Sequence, residues 1–557
     1  MASTWQAIAK RKKQEQWSRI PAEYRLQSDF KKDPVNVLDV PRTCGLLSAI
    51  ELDITESYDA TSLADAIRAR KLSAVQVTTA FCKRAAIAHQ LTNCLTQIFF
   101  DRALARANEL DAYLTKHKKP LGPFHGIPIS LKDGFKIAGL DATIGYVGLA
   151  FKPASINSPL VNLLLAAGAV LYCKTNIPQT LSALDSHNNL FGRVLNPSNL
   201  ALTAGGSSGG EGALIAMRGS VLGVGTDVGG SIRIPAFCNG VYGIKPSAGR
   251  VPFAGQETGK ALGSDKVALQ ASAGPLAGSL RDCELLLRVV ADMQAWKYDV
   301  DVVFGDWRSQ GECPPKKEMV VGVVRRDGVI DPLPPVHKIL DDTVRALKAE
   351  GIKVVEMDIS SLFSQCQSLA NALMGVEGGN SGFDIMESTG EPLSPWLQSR
   401  MKRKAPLTLE QTRDLHGKKA KLCEQFLEIW TQANGTAIDA IICPVAPHPV
   451  PPIDAWNGVS YTSTFVLLDY PAGYLPVRKL QHSDLEGSLP QSKPIGSWDQ
   501  RNREIWTGTD HSTFLGSSLG VQVVVPRLQE RRLCQAMAVI EDSIRRQGIG
   551  EQSGPKL

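Results

Sequence analysis

Residues Ala204–Pro246 read A-G-G-S-S-G-G-E-G-A-L-I-A-M-R-G-S-V-L-G-V-G-T-D-V-G-G-S-I-R-I-P-A-F-C-N-G-V-Y-G-I-K-P. Glycine recurs here too often for an ordinary helix or strand. It admits positive φ and lets neighbouring groups approach the backbone closely. Ser207 and Ser208 sit inside G-G-S-S-G-G, and Ser231 sits inside G-G-S-I-R. Between them the small residues from Glu211 to Arg218 predict a short helix. A chain gives up this much backbone entropy where its loops must take unusual shapes.

Upstream lies H-G-I-P-I-S-L-K-D, His125–Asp133. Ile127 and Ile129 alternate with Pro128 and Ser130, which predicts a short buried strand ending at Lys132. Lysine is almost never fully buried unless paired, and a lone lysine at a strand end ordinarily snorkels to solvent. Serine is a weak nucleophile until a base takes its proton. The chain has nine histidines, so a Ser–His–Asp arrangement is the first candidate for that base. Ser231 is followed by Ile232 and Arg233, not by the G-x-S-x-G elbow. His125 and His187 lie near the motifs and are read as local hydrogen-bonding or packing groups. A phosphate loop would need Lys-Ser or Lys-Thr after the glycines, and a dinucleotide fingerprint would need glycine where Val228 stands.

These stretches closely resemble the amidase-signature hydrolases. The segment Thr78–Cys94, T-x-x-F-C-K-R-A-A-I-A-x-Q-L-T-N-C, and the L-L-D-Y of Leu467–Tyr470 look most like the fungal acetamidase branch. The resemblance implies a Ser–Ser–Lys triad of Lys132, Ser207 and Ser231. Their separations of 75 and 24 residues are the family's. Ser231 is implied as the nucleophile, Lys132 as a base made neutral by burial, and Ser207 as a relay between them. In the family that relay serine follows a cis peptide. The Asp227–Ser231 turn can aim successive N–H groups at one spot, so Val228, Gly229, Gly230 and Ser231 are expected to hold the oxyanion, with Ser207 beside the substrate. Ser208 is expected as a supporting hydrogen-bond donor, and Asp227 with Arg233 as an ion pair bracing the turn.

The expected fold is α/β: one large domain with a mixed central sheet covered by helices on both faces, plus an N-terminal helical arm. Residues 1–60 are assigned to the arm and 61–550 to the catalytic domain. The implied reaction is hydrolysis of a small aliphatic or aromatic primary amide, such as acetamide, to the carboxylate and ammonia through an acyl-serine. Fatty-acid amides and indole-acetamide are the alternatives within the family. A subunit feeding ammonia to a larger complex, or a catalytically silent amide-binding or scaffold homologue, are those of another kind.

Composition narrows the partners. Net charge is +6 over 557 residues, too mild to suggest nucleic acid. The longest apolar run, Leu160–Cys173, is interrupted by Asn162 and Gly168, so no membrane span is expected. The eleven cysteines form no C-x-x-C pair and are read as reduced thiols. With no signal-peptide pattern at Met1–Lys13, the expected location is cytoplasmic. Pro555-Lys556-Leu557 has proline where a peroxisomal address has serine. The expected partners are the amide and water as acyl acceptor; no metal or organic cofactor is expected, and a homodimer is kept open.

Along the chain, a polar arm carrying the basic run Lys10–Lys13 is expected as a solvated helix face, followed by an extended strap with Pro34 and Pro41. Ser73 to Gln76 predicts a capping box. Leu104, Ala107, Leu110 and Leu114 predict one face of a second helix. Helix–strand pairs are predicted over 160–173 and 336–358, with further strands over 437–443 and 521–525. Stretches 249–275, 305–318 and 444–456 read as surface loops, and 481–500 as an exposed loop. The walls of the substrate pocket are sought in 141–151, 370–400 and 455–475.

Overall fold

The computed structural model describes residues 4–27, 35–432, 437–455 and 458–550. Side chains alternate between the two faces of a strand, and here both faces are apolar. In the strand Ala440–Cys443, Ala440 and Ile442 join one core cluster while Ile441 and Cys443 join another. A strand buried on both sides belongs to a sheet covered by helices on both faces.

Eleven strands form that sheet among the described residues. They are β1 (Leu95–Ile98), β2 (Pro128–Lys132), β3 (Val170–Thr175), β4 (Leu222–Asp227), β5 (Tyr242–Lys245) and β6 (Ser272–Ala277). There follow β7 (Val320–Val323), β8 (Lys353–Glu356), β9 (Ala440–Cys443), β10 (Ala472–Lys479) and β11 (Ser518–Val524). Their order is β1-β3-β2-β4-β6-β5-β10-β11-β9-β7-β8. β2 runs parallel to both β3 and β4, and β4 runs antiparallel to β6. The sheet is mixed, as expected, and the C-terminal ends of β2 and β4 come out side by side.

The predicted helices form. α1 spans Trp5–Ser18, α2 spans Ala74–Thr92 and α3 spans Phe100–His117. Ser73 and Gln76 cap α2 reciprocally, the predicted box. Ala107, Leu110 and Leu114 of α3 are buried, while Leu104 is half-buried. The short helix between the serine motifs is α4 (Gly209–Ala216), and α5 (Arg233–Asn239) follows Ser231. No described helix is long and apolar enough to cross a membrane.

Several expectations need correction. Pro34 lies outside the described residues, but Pro41 sits in the first turn of a helix, Val40–Thr43, and a capped helix occupies Ala49–Glu56. The segment after residue 35 is therefore helical rather than an extended strap: Ser48 and Glu51 cap each other where no pattern of apolar alternation forces a strand. The basic run is not wholly solvated. Lys12 is buried, with Nζ 2.7 Å from Asp141 Oδ2, and Arg11 covers the Phe151 ring at 3.9 Å. The stretch 249–275 contains a helical turn, Ser264–Val267, and the start of β6. Residues 444–451 are irregular but buried, since Thr203 N donates to Pro451 O and Leu333 N to Pro447 O.

Candidate active site

β2 carries Lys132 at its end, where the chain turns beneath neighbouring loops. β4, its parallel neighbour, brings Thr226 and Asp227 to the same edge. Lys132 Nζ lies 2.6 Å from Ser207 Oγ, 2.8 Å from Thr226 Oγ1 and 3.4 Å from Thr226 O. The lysine is 1% exposed. Burial lowers its pKa from 10.5 to about 7, against the pull of the Asp227 and Glu211 carboxyls, which raises it. Among the described residues no carboxylate pairs with it; its partners there are two hydroxyls and a carbonyl.

Ser207 and Ser208 occupy the loop that enters α4, and the Gly206–Ser207 peptide is cis. Gly210 explains part of the glycine run. A Cβ there would strike the Asn176 backbone, to which Gly210 N donates at 3.0 Å. The first turn of α4 is thus seated directly on the end of β3. Ser208 N donates to Ser231 O at 3.1 Å, which ties the two serine loops together.

Ser231 sits in the turn between β4 and α5. Asp227 closes β4 and organises that turn. Its Oδ1 accepts from Gly230 N at 2.7 Å and Arg233 Nη2 at 3.0 Å; its Oδ2 accepts from Ile232 N and Arg233 Nε, both at 3.1 Å. Burial pushes this carboxyl up, but Arg233 overrides it and holds Asp227 down at about 2. Arg233 is itself anchored to Gln522 Oε1 and Thr462 O. Asp227 and Arg233 thus form an ion pair that is fully buried.

Gly230 has φ +128°, a region that favours glycine, and a Cβ there would also crowd Thr462. Its N–H is engaged by Asp227. Among the described residues, no hydrogen bond engages the N–H groups of Val228, Gly229 and Ser231 or the Ser231 hydroxyl. Thr462 Oγ1 donates to Gly229 O at 2.6 Å and holds that carbonyl in place.

The structure therefore brings Lys132 and Ser207 into contact, joins Ser207's loop to Ser231's through backbone, and pairs Asp227 with Arg233. His125 and His187 stand apart. His125 Nδ1 accepts from Leu121 N at 2.9 Å, and His187 lies in a two-residue ribbon paired with Arg193. The segments sought as pocket walls partly meet. Ile144 and Tyr146 pack with Ile177 and Met386 in one apolar cluster. Asp133, next to Lys132, accepts from Thr143 N and Ile144 N at 2.7 Å each and fixes the 141–151 loop to the end of β2. A cavity of about 320 Å³ opens at the opposite ends of these strands, lined by Ser220, Val241, Tyr242 and Asp282, and contains none of the expected residues.

Sequence reading missed Thr226, Glu211 and Asp133. Asp133 lies inside the quoted motif, and Glu211 is the one charge among the small residues of α4. Thr226 gave no signal of its own.

A family model described as Amidase matches residues 76–534. An acetamidase of Emericella nidulans is 35% identical over 558 residues, covering 97% of this chain and 98% of that protein. An acetamidase of Aspergillus oryzae is 35% identical over 542 residues, covering 95% and 97%. Among solved structures, a fatty acid amide hydrolase superposes with a TM-score of 0.87 at 30% identity, over 96% of this chain and 94% of that one. Likeness of this extent, in a chain built around these two serine loops, makes the protein a member of the amidase family.

Proposed function

We propose that this amidase hydrolyses a small aliphatic or aromatic primary amide through an acyl-serine, using Lys132, Ser207 and Ser231. The carrying observation is the buried contact of 2.6 Å between Lys132 Nζ and Ser207 Oγ. A neutral amine has one lone pair and two N–H bonds. It can accept the Ser207 proton and still donate to Thr226. In this reading Ser231 Oγ attacks the carbonyl carbon while its proton passes to Ser207 and the Ser207 proton passes to Lys132. The developing oxyanion is met by the N–H groups of Val228, Gly229 and Ser231; Gly230, engaged by Asp227, contributes by holding the turn. The proton returns by the same path to the leaving nitrogen, ammonia departs, and water cleaves the ester with the same groups acting in reverse. No step calls for a metal or organic cofactor. Residues 1–60 act as an arm clamped onto the 61–550 catalytic domain through Lys12 and Gln16, whose Nε2 donates to Leu95 O at 2.7 Å. A cytoplasmic location is proposed on the sequence reading alone.

The test is a substrate panel of acetamide, longer aliphatic amides, benzamide and indole-3-acetamide with the purified chain, together with a fluorophosphonate probe. Turnover of a primary amide with labelling at Ser231 is expected. Labelling of another serine, or ammonia release only with a second protein present, defeats the proposal. The likeness to a fatty acid amide hydrolase supports a second reading: if long-chain amides are turned over faster than acetamide, the apolar cluster of Ile144, Tyr146 and Met386 is the acyl wall.

A further inference from the structure

Glu211 projects from α4 into the space between β2, β3 and β4, fully buried. Its Oε1 accepts from Thr175 Oγ1 at 2.9 Å, and its Oε2 lies 2.6 Å from Ser130 Oγ. The row continues. Ser130 Oγ lies 2.9 Å from Ser220 Oγ, and Ser220 Oγ donates to Leu222 O at 3.0 Å. Gly223 on β4 makes room, because a Cβ there would collide with Glu211 Oε2 and stand 2.8 Å from Ser130 Oγ.

Protons can be counted along this row. Glu211 Oε2, Ser130 Oγ, Ser220 Oγ and Leu222 O make three contacts, and the two hydroxyls supply two protons. An ionised Glu211 supplies none, so two lone pairs would face each other at one contact. A protonated Glu211 supplies the third. It donates to Ser130, Ser130 donates to Ser220, and Ser220 donates to the carbonyl. Buried polar groups are found paired, so the row selects the carboxylic acid.

We propose that Glu211 is a neutral carboxylic acid and a positioning residue for Lys132: the hydroxyl row keeps the proton on the carboxyl, and the lysine beside it stands as the free amine. The inference rests on Lys132 being the base. An acid with an amine, and a carboxylate with an ammonium, hold the same number of protons; the row decides between them. Burial pushes Glu211 up to about 7, while Ser130, Thr175 and Lys132 pull it down. The groups facing the pair are few. Cys94, Tyr172 and Cys173 are raised by burial, Cys94 to about 12, and stay neutral. Asp227 faces Lys132 with its charge taken up by Arg233.

The experiment measures kcat/KM against pH for the full chain, Glu211→Gln, Ser220→Ala and the double variant, with infrared difference spectra of the first two. Glutamine donates towards Ser130 and accepts from Thr175, as the acid does. Glu211→Gln is expected to leave the midpoint of the acid limb in place and to remove a carboxylic-acid carbonyl band present in the wild type. Ser220→Ala takes away the acceptor of the Ser130 proton, which then turns to Glu211 Oε2; the carboxyl ionises, holds Lys132 protonated and moves the acid limb up by about one pH unit. Adding Glu211→Gln brings it back, which a merely structural glutamate would not do. If Ser220→Ala does not fold, Ser220→Cys, whose thiol is a weak acceptor, weakens the same contact with a smaller shift in the same direction. Absence of the band in wild type, or an acid limb that drops by about a unit in Glu211→Gln, overturns the inference. A wild-type profile with no acid limb instead overturns Lys132 as the base.

Discussion

Two lysines stand at the ends of two neighbouring strands, and their surroundings differ in kind. Lys132 closes β2; Lys174 is next to last in β3, facing Leu131 across the ladder. Both are excluded from solvent, and burial pulls both pKa values down. Lys132 meets hydroxyls and a carbonyl. Lys174 donates to Asp141 O at 2.6 Å and lies 3.7 Å from the Asp133 carboxylate. Asp133 and Asp141 also bind the 141–151 loop, and Asp141 receives Lys12 from the N-terminal helix. A lysine with a carboxylate beside it is held as a cation and serves as a rivet. A lysine with only neutral partners can lose its proton. Burial alone does not make a base; the absence of a contacting counter-charge does.

Replacing each lysine by methionine should separate the two roles. Lys132→Met keeps the stem and removes the proposed base, so kcat/KM should fall by ~10²–10⁴-fold or more, and the acid limb near pH 7 should vanish. The same variant should melt higher than wild type. A lysine whose folded pKa is about 7 instead of 10.5 binds its proton less tightly folded than unfolded, so it costs stability fully below pH 7. Wild type recovers that cost as pH rises from about 7 towards 10.5, so the gap in Tm should be widest at and below neutrality and should close in alkali. A lower Tm for Lys132→Met at pH 6 would count against the depressed value.

Ser207→Ala interrupts the proposed path between Lys132 and Ser231. Matched amide and ester substrates read its role. The amide, whose leaving nitrogen needs a proton, should lose ~10²–10⁴-fold, and an activated ester clearly less. Equal losses would make Ser207 a shaping residue only.

Lys174→Met should do the reverse of Lys132→Met. It strips a cation from Asp133, with an expected loss of ~3 kcal/mol in denaturant unfolding, while the acid limb of kcat/KM keeps its midpoint. A shifted limb would mean that the two lysine surroundings are not independent.

The smallest effect is expected from Thr226→Val, which removes the 2.8 Å hydroxyl contact to Lys132 but leaves the Thr226 carbonyl. A loss of about 1 kcal/mol, read as roughly fivefold in kcat/KM, is expected. A loss as large as that of Ser207→Ala would place Thr226 on the proton path.

The serines stand in glycine-rich loops that mark unusual backbone, but their expected roles and that of Lys132 came from the family resemblance, since a lone lysine at a strand end ordinarily snorkels to solvent. Thr226 could not be picked out, since a threonine in a strand is ordinary. Lys174 stands one residue from the end of an apolar strand, much as Lys132 closes another; the difference lies in Asp133, just beyond β2, and Asp141, in the loop that follows, which both reach Lys174. The buried stretch 444–451 read as a surface loop because its prolines signal a turn and say nothing about depth.

The sequence by itself determined the family, the α/β class, the helix caps, the strand that ends at Lys132 and the two serine loops. Those features rest on local rules: apolar periodicity, capping residues, and glycine where backbones crowd. Only the tertiary structure decided which buried lysine lacks a carboxylate, that Gly230 N–H is engaged by Asp227, and that Glu211 meets a row of hydroxyls. The first and the third depend on groups far apart in the chain, such as Asp133 and Lys174 or Ser130 and Glu211, and the second on a turn that the packed loops around it hold in place. Charge and hydrogen-bond satisfaction are properties of the neighbourhood that folding creates, and no local pattern records them.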